Sequence, residues 1–138
     1  MSAEYYARIG IYSQTLTPSQ VSAILGLECD KGYEKGNIVR PHGIVQRKEH
    51  QWFIYSRIPR SVPLEDHVKD VLDRVSGVTE KICALAKQPA TEIELGCVIH
   101  SKESPALVFS TDVVVTLCKM GASIDVDLYY WERDGEHI

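Results

Sequence analysis

The stretch Gly121-Ala-Ser-Ile-Asp-Val-Asp-Leu-Tyr-Tyr-Trp131 decides how the chain folds. After a glycine stop, Ala122, Ile124, Val126, Leu128 and Tyr130 fall on one side and Ser123, Asp125, Asp127, Tyr129 and Trp131 on the other, the two-residue period of a strand. The first side is apolar and needs a core. The second carries two carboxylates and two large aromatics, and it is the part of the sequence that hints at a use.

Working outward, Val113-Val114-Val115 favours strand by propensity. Ser110 or Thr111 offers a cap, however, Asp112 suits a first helical turn, and Gly121 closes the segment, so the local signals predict a helix ending at Gly121. Before it, Ile93, Leu95, Cys97 and Ile99 alternate with Glu92, Glu94, Gly96 and His100, a strand with a polar outer side, followed by a turn and a brief strand over Ala106 to Phe109. Leu64, Val68, Val71, Leu72, Val75, Val78, Ile82 and Leu85 recur at helical spacing, as one long helix or as two kinked near Ser76-Gly77. Gln51 to Ile58 reads as a central strand, because rings stand on both of its sides at Trp52, Phe53 and Tyr55. Tyr5 to Ser13 alternates as a first strand, and Thr17-Pro18-Ser-Gln20 is a capping box opening a short helix that stops at Gly26.

From Trp52 onward the order is strand, helix, strand, strand, helix, strand. The fold class expected is α+β: a ferredoxin-like βαββαβ core with an extra N-terminal strand and helix, and helices on one face of a mainly antiparallel sheet. That topology sets the last strand beside the Trp52 strand and leaves the opposite sheet face open. The place of the first strand stays undetermined. Residues 1–138 read as one domain, with a long glycine-punctuated loop at 28–49, in which Ile44 to Arg47 could form an extra strand, and a polar tail at 132–138 expected to fray.

Composition narrows the function classes. A net charge of −4 and the absence of a basic stripe argue against nucleic-acid or anionic-membrane binding. Residues 1–63 hold eight Lys/Arg against five Asp/Glu, whereas 92–138 hold nine acids against three bases, so the two ends are complementary and are expected to pair or to be solvated within one fold. Cys29, Cys83, Cys97 and Cys118 have no C-x-x-C spacing and sit mostly in apolar patterns, as reduced core residues. There is no secretory-type N-terminus and no long apolar run, which makes the expected location cytoplasmic. The five histidines have no metal-ligand spacing and no serine sits in a nucleophile elbow, so no catalytic residue, metal or cofactor is assigned.

The open face would collect Tyr6, Arg8 and Tyr12, then Phe53, Tyr55 and Arg57, then Glu92, Glu94 and His100, and finally Asp125, Asp127, Tyr129 and Trp131. Two readings stand side by side. Arg8 and Arg57 could make cross-strand pairs with Asp125 and Asp127, worth about 0.2–1 kcal/mol each. Alternatively, Arg8, Tyr55, Arg57, Asp125, Asp127, Tyr129 and Trp131 are a binding surface for a protein partner or for a second copy in a homodimer. A rival class is a small-molecule-binding protein or enzyme with its pocket between the 28–49 loop and the sheet, using His50 and His67 as polar groups.

Gly26-Leu27, Lys35-Gly36, Trp52, Leu64 with His67, and above all Gly121-Ala-Ser-Ile-Asp125-Val-Asp127-Leu-Tyr129 together resemble a family of small, mainly bacterial proteins catalogued as domain of unknown function 4279. The likeness runs from about Tyr5 to Trp131. It implies a single cytoplasmic α+β domain with no established activity, cofactor or catalytic residue. For small acidic members it also implies an immunity-type role in neutralising a toxin.

Overall fold

In the computed structural model, which describes residues 3–41 and 43–130, one five-stranded sheet is covered by four α-helices. The elements are β1 (Glu4–Ser13), α1 (Pro18–Leu25), β2 (Lys31–Tyr33), β3 (His50–Tyr55), α2 (Leu64–Val75), a 3-10 turn (Ser76–Val78), α3 (Thr79–Ala86), β4 (Thr91–Ser101), α4 (Thr111–Met120) and β5 (Ala122–Tyr130). The capping box is formed: Thr17 Oγ1 accepts from the Gln20 N–H (3.2 Å) and Gln20 Oε1 from the Thr17 N–H (2.9 Å). Gly26 and Gly121 end α1 and α4 in the left-handed conformation, φ 67° and 70°. Ser110 caps α4, so the valine triplet is helical. The long periodic segment is two helices joined by the 3-10 turn at Ser76.

The strand order is β2-β3-β1-β4-β5, antiparallel throughout except for the β4–β5 pair. The α+β class is thus observed, with helices on one face of a mainly antiparallel sheet. Two placements differ from the expectation, and a third, left open by the sequence, is now fixed. β5 lies beside β4, not beside the Trp52 strand, because β4, α4 and β5 form a β-α-β unit in which two parallel strands become neighbours through a crossover helix. β1 is no appendage but the central strand, with Ala7, Ile9 and Ile11 almost wholly buried. Ala106 to Phe109 is irregular, not a strand. β2, three residues within the 28–49 loop, escapes periodicity because it is too short to show any.

The core lies between the helices and one sheet face. Ala7, Ile9, Ile11, Trp52, Ile54 and Leu95 meet Val21 and Leu25 of α1, Val68, Val71 and Val75 of α2, Ile82 and Leu85 of α3, and Leu117 and Met120 of α4. Trp52 is fully buried and its indole N–H donates to Ser22 Oγ (3.0 Å), which satisfies the ring's one polar group. No helix among the described residues is long and apolar enough to cross a membrane.

Candidate functional site

The alternation that sends Ile9 and Ile54 to the core sends Arg8, Tyr55 and their neighbours to the other side of the sheet, which no helix among the described residues covers. The register aligns these residues in rows across the strands. Tyr55, Arg8, Gly96 and Asp125 form one row; Phe53, Gly10, Glu94 and Ser123 form the next; Tyr6, Val98 and Asp127 form a third on the other side.

Two strand-interior glycines shape this surface. A Cβ at Gly96 would sit 2.9 Å from Arg8 Nε, and one at Gly10 would sit 2.9 Å from Tyr12 Cε2 and 3.0 Å from Phe53 Cε1. The Arg8 arm therefore lies flat over Gly96, and the Tyr12 and Phe53 rings close over Gly10. A glycine inside a strand often marks such a close approach, although by alternation alone both read as ordinary strand positions.

Phe53 is the hub of an aromatic platform. Its ring centroid is 5.7 Å from Tyr12, 6.2 Å from Tyr33 and 6.1 Å from Tyr55, while Tyr6 stands 6.0 Å from Tyr55. Cations edge the rings: the Arg8 guanidinium carbon is 4.8 Å from the Phe53 centroid, Lys31 Nζ is 5.8 Å from Tyr55, and Arg47 is 3.6 Å from Tyr33. Arg8 Nε is buried and has no hydrogen-bond acceptor. Burial disfavours the Arg8 charge, but the phenol oxygens of Tyr12 and Tyr55 outweigh this and raise its pKa.

Beyond Arg8 the face turns acidic. Tyr12 donates to Glu94 Oε1 (3.2 Å). Burial, then the charge of Asp125, raises the Glu94 carboxyl, and burial together with Glu94 raises the Tyr12 phenol. Tyr129 stacks on His100 at 4.8 Å and 13°. Among the described residues Asp125 and Asp127 make no salt bridge, so the cross-strand pairing with Arg8 and Arg57 is not formed.

Arg57 lies past the end of β3, two-thirds exposed, and bonds Asp30 (3.1 Å). Asp30 also accepts from Arg74 and from the Tyr55 N–H (2.8 Å), tying the start of β2 to β3 and α2. Burial alone would raise the Asp30 carboxyl, yet these donors hold it at about 2. Of the residues proposed from sequence, Arg8, Tyr55, Asp125, Asp127 and Tyr129 thus share one face. Arg57 serves a neighbouring network, and Trp131, with the 132–138 tail, lies outside the described residues. Lys31, Tyr33 and Gly10 belong to the surface and were not singled out.

Elsewhere among the described residues, groups with the look of chemistry have structural explanations. Ser56 Oγ is 2.7 Å from His67 Nδ1, which resembles a nucleophile and its base, but His67 is fully buried and its Nε2 lies 3.1 Å from the Pro59 carbonyl. Ser56 also accepts from the Ala7 N–H (3.1 Å), so the pair knots β1 to α2. Burial pushes the Cys97 thiol up to about 12, far from a thiolate nucleophile. No group of His, Cys, Asp and Glu among the described residues is arranged to hold a metal. A cleft of about 830 Å³ opens on the helix side between α2 and the segment entering α4, lined by Leu64, Val68, Leu72, Phe109 and Val113, away from the 28–49 loop.

The architecture is that of an α+β protein with a one-sided helical layer and, among the described residues, an uncovered, aromatic and charged sheet face. The chain belongs to the family described as Domain of unknown function (DUF4279), whose model matches residues 3–131. No curated protein and no solved structure matches it at a significant level.

Proposed function

We propose that the protein is a non-catalytic binding module that engages a protein partner through the open face of its sheet. Arg8 carries this reading. Its guanidinium lies on Phe53 within a ring of tyrosines, and its Nε is buried without an acceptor. The side chain as a whole is only half-buried, so a carboxylate or carbonyl oxygen of a partner would reach the outer nitrogens of its guanidinium and form a charge-assisted hydrogen bond there. Tyrosine and arginine are also the side chains that most often dominate protein interfaces. The adjacent acids, Asp125 and Asp127, would choose among partners by charge. An immunity-type role, in which such a face covers a toxin, needs only this chemistry. The four cysteines are unpaired, which suits a reducing compartment, and we place the protein in the cytoplasm on that ground.

The test is capture of a partner by immobilised wild type, Arg8→Met and Tyr55→Ala, with Val114→Ser on the helix side as control. Melting curves first establish that all four are folded. The two face variants are expected to weaken the captured partner by about tenfold or more, ~1.4 kcal/mol, and the control to leave it unchanged. A partner held equally by both face variants would sink the reading.

A further inference from the structure

The two edges of the sheet differ in charge, and although Glu34 and Glu49 also flank the β2 edge, residues 36–48 themselves carry Arg40, Arg47 and Lys48 and no acid. Glu92, Glu94, Asp125 and Asp127 stand on β4 and β5, whereas Lys31 and Arg47 stand at the β2 edge, on the far side of β3 and β1. Among the described residues no salt bridge joins the basic and acidic ends of the sequence; the salt bridges there are those of Asp30 with Arg57 and Arg74.

Each edge also exposes apolar side chains. Among the described residues β5 pairs only with β4, and its outer edge there is a nine-residue run without a strand partner, in unbroken register with β4 and without lysine or proline to discourage pairing. On its helix side Ile124 and Leu128 are 40% and 54% exposed. At the far edge the chain between β2 and β3 projects as an arm with two legs, 36–40 and 43–47. The legs are joined where the Gly36 N–H donates to the Arg47 carbonyl, the Arg47 N–H to the Asn37 carbonyl and the Val39 N–H to the Val45 carbonyl, at 2.8–2.9 Å. Ile44 and Val45 on that arm are 94% and 64% exposed, and Arg40 and Lys48 flank them.

We infer that the arm of one copy docks on the outer edge of β5 of the next. It would extend the sheet by strand addition, cover Ile124 and Leu128 with its own apolar residues, and bring its bases to Asp125 and Asp127. Two β5 edges do not suit each other. Antiparallel self-pairing centred on Val126 would set Asp125 against Asp127 of the copy, like charge against like, whereas the arm supplies the opposite sign. Because the two surfaces differ, the contact is head-to-tail and propagates unless it closes into a ring. It shares Asp125 and Asp127 with the partner-binding face but uses neither Arg8 nor Tyr55, so Arg8→Met and Tyr55→Ala, which test that face, are expected to leave self-assembly unchanged.

Sedimentation equilibrium on the full chain tests this with two closed variants: Ile44→Glu/Val45→Glu blocks the arm, and Ile124→Lys/Leu128→Lys blocks the edge. The wild type is expected to gain mass beyond a dimer as concentration rises and to lose it again with added salt. Each closed variant alone stays monomeric over the same range, with its contact weakened about tenfold or more. Mixed in equal amounts they form a dimer and stop, since one retains only an edge and the other only an arm. A wild type that is monomeric throughout, a closed variant that still assembles, or a mixture that does not pair overturns the inference. Should either double variant misfold, Arg40→Glu/Lys48→Glu, which alters only exposed charges, is expected to abolish the mass increase, and failure to do so also overturns it.

Discussion

Replacing Glu94 by glutamine should make the protein more stable at neutral pH. Glu94 is partly buried, receives one hydrogen bond from Tyr12, and is diagonal to Asp125 across the β4–β5 register. Same-face diagonal neighbours are about 7–8 Å apart, and two unit charges at that distance repel by about 0.5–1 kcal/mol at an effective dielectric of roughly 40–80. A glutamine side chain would keep an acceptor for Tyr12 while removing this repulsion and the cost of a partly desolvated carboxylate. The expected gain is about 0.5–1 kcal/mol, or ~2–4 °C in Tm for a chain of this size.

The pH dependence identifies the cause. Burial and Asp125 raise the folded-state pKa of Glu94 above its ordinary value of 4.5. The folded wild type therefore takes up this proton at a higher pH than the unfolded chain does, and its stability rises as pH falls through the folded pKa toward that value. Melting curves of wild type and Glu94→Gln should thus differ most at pH 7 to 8 and converge near pH 4. Added salt at about 1 M, where the screening length is ~3 Å, should shrink the gap at neutral pH. An unchanged or lower Tm for the variant at pH 7, or a gain that persists undiminished at pH 4, would refute stored repulsion on this face.

Three further outcomes follow from geometry elsewhere. Asp30→Asn should cost about 1–2 kcal/mol at pH 7 after allowance for its partial exposure; because its folded pKa is depressed to about 2, the gap from wild type in chemical denaturation should hold above pH 4 and vanish as pH falls through that value. His67 is held neutral by burial, which lowers its pKa, so the wild type should lose stability as pH drops below about 6.5. His67→Ala, which leaves a cavity and unpaired Ser56 and Pro59 groups, should cost about 2–4 kcal/mol in a denaturant titration at pH 7. Gly26 and Gly121 share a positive φ, but a Cβ at Gly26 meets nothing within 4 Å whereas one at Gly121 would sit 2.9 Å from Ala86 Cβ. Gly26→Ala should therefore cost about 1 kcal/mol and Gly121→Ala measurably more; equal losses in Tm would show that the Ala86 contact gives way freely.

How much of this was readable from sequence depends on how many neighbours each inference needs. The two faces of β5, the capped helices and the buried side of β1 each follow from residues adjacent in the chain, and all three stand in the structure. Strand order does not follow in this way. β1 and β5 both alternate, and nothing within either segment says that Ile9 will be sealed between β3 and β4 while Ile124, on the same sheet face, is left at an edge. Gly10 and Gly96 show the same limit: each reads locally as a weak strand position, and its use appears only when Arg8, Tyr12 and Phe53 from other register positions lie across it.

The same contrast separates the parts of the surface that stabilise the fold from those that do not. Asp30 is an acid among bases, at a strand start where Arg57, Arg74 and a backbone N–H converge, and its pKa falls accordingly. Glu94 is an acid among acids, and its pKa rises. Carboxylates retained only for stability would be expected to resemble Asp30. Glu94, Asp125 and Asp127 instead share one strip, uncovered among the described residues, beside an arginine whose buried Nε has no acceptor, the arrangement expected if the proposed partner-binding role is favoured over the stability of the isolated protein. If Glu94→Gln both raised Tm and weakened a captured partner, that trade would be observed at a single side chain. If it raised Tm and left capture unchanged, the partner-binding role would contract to Arg8 and the aromatic platform.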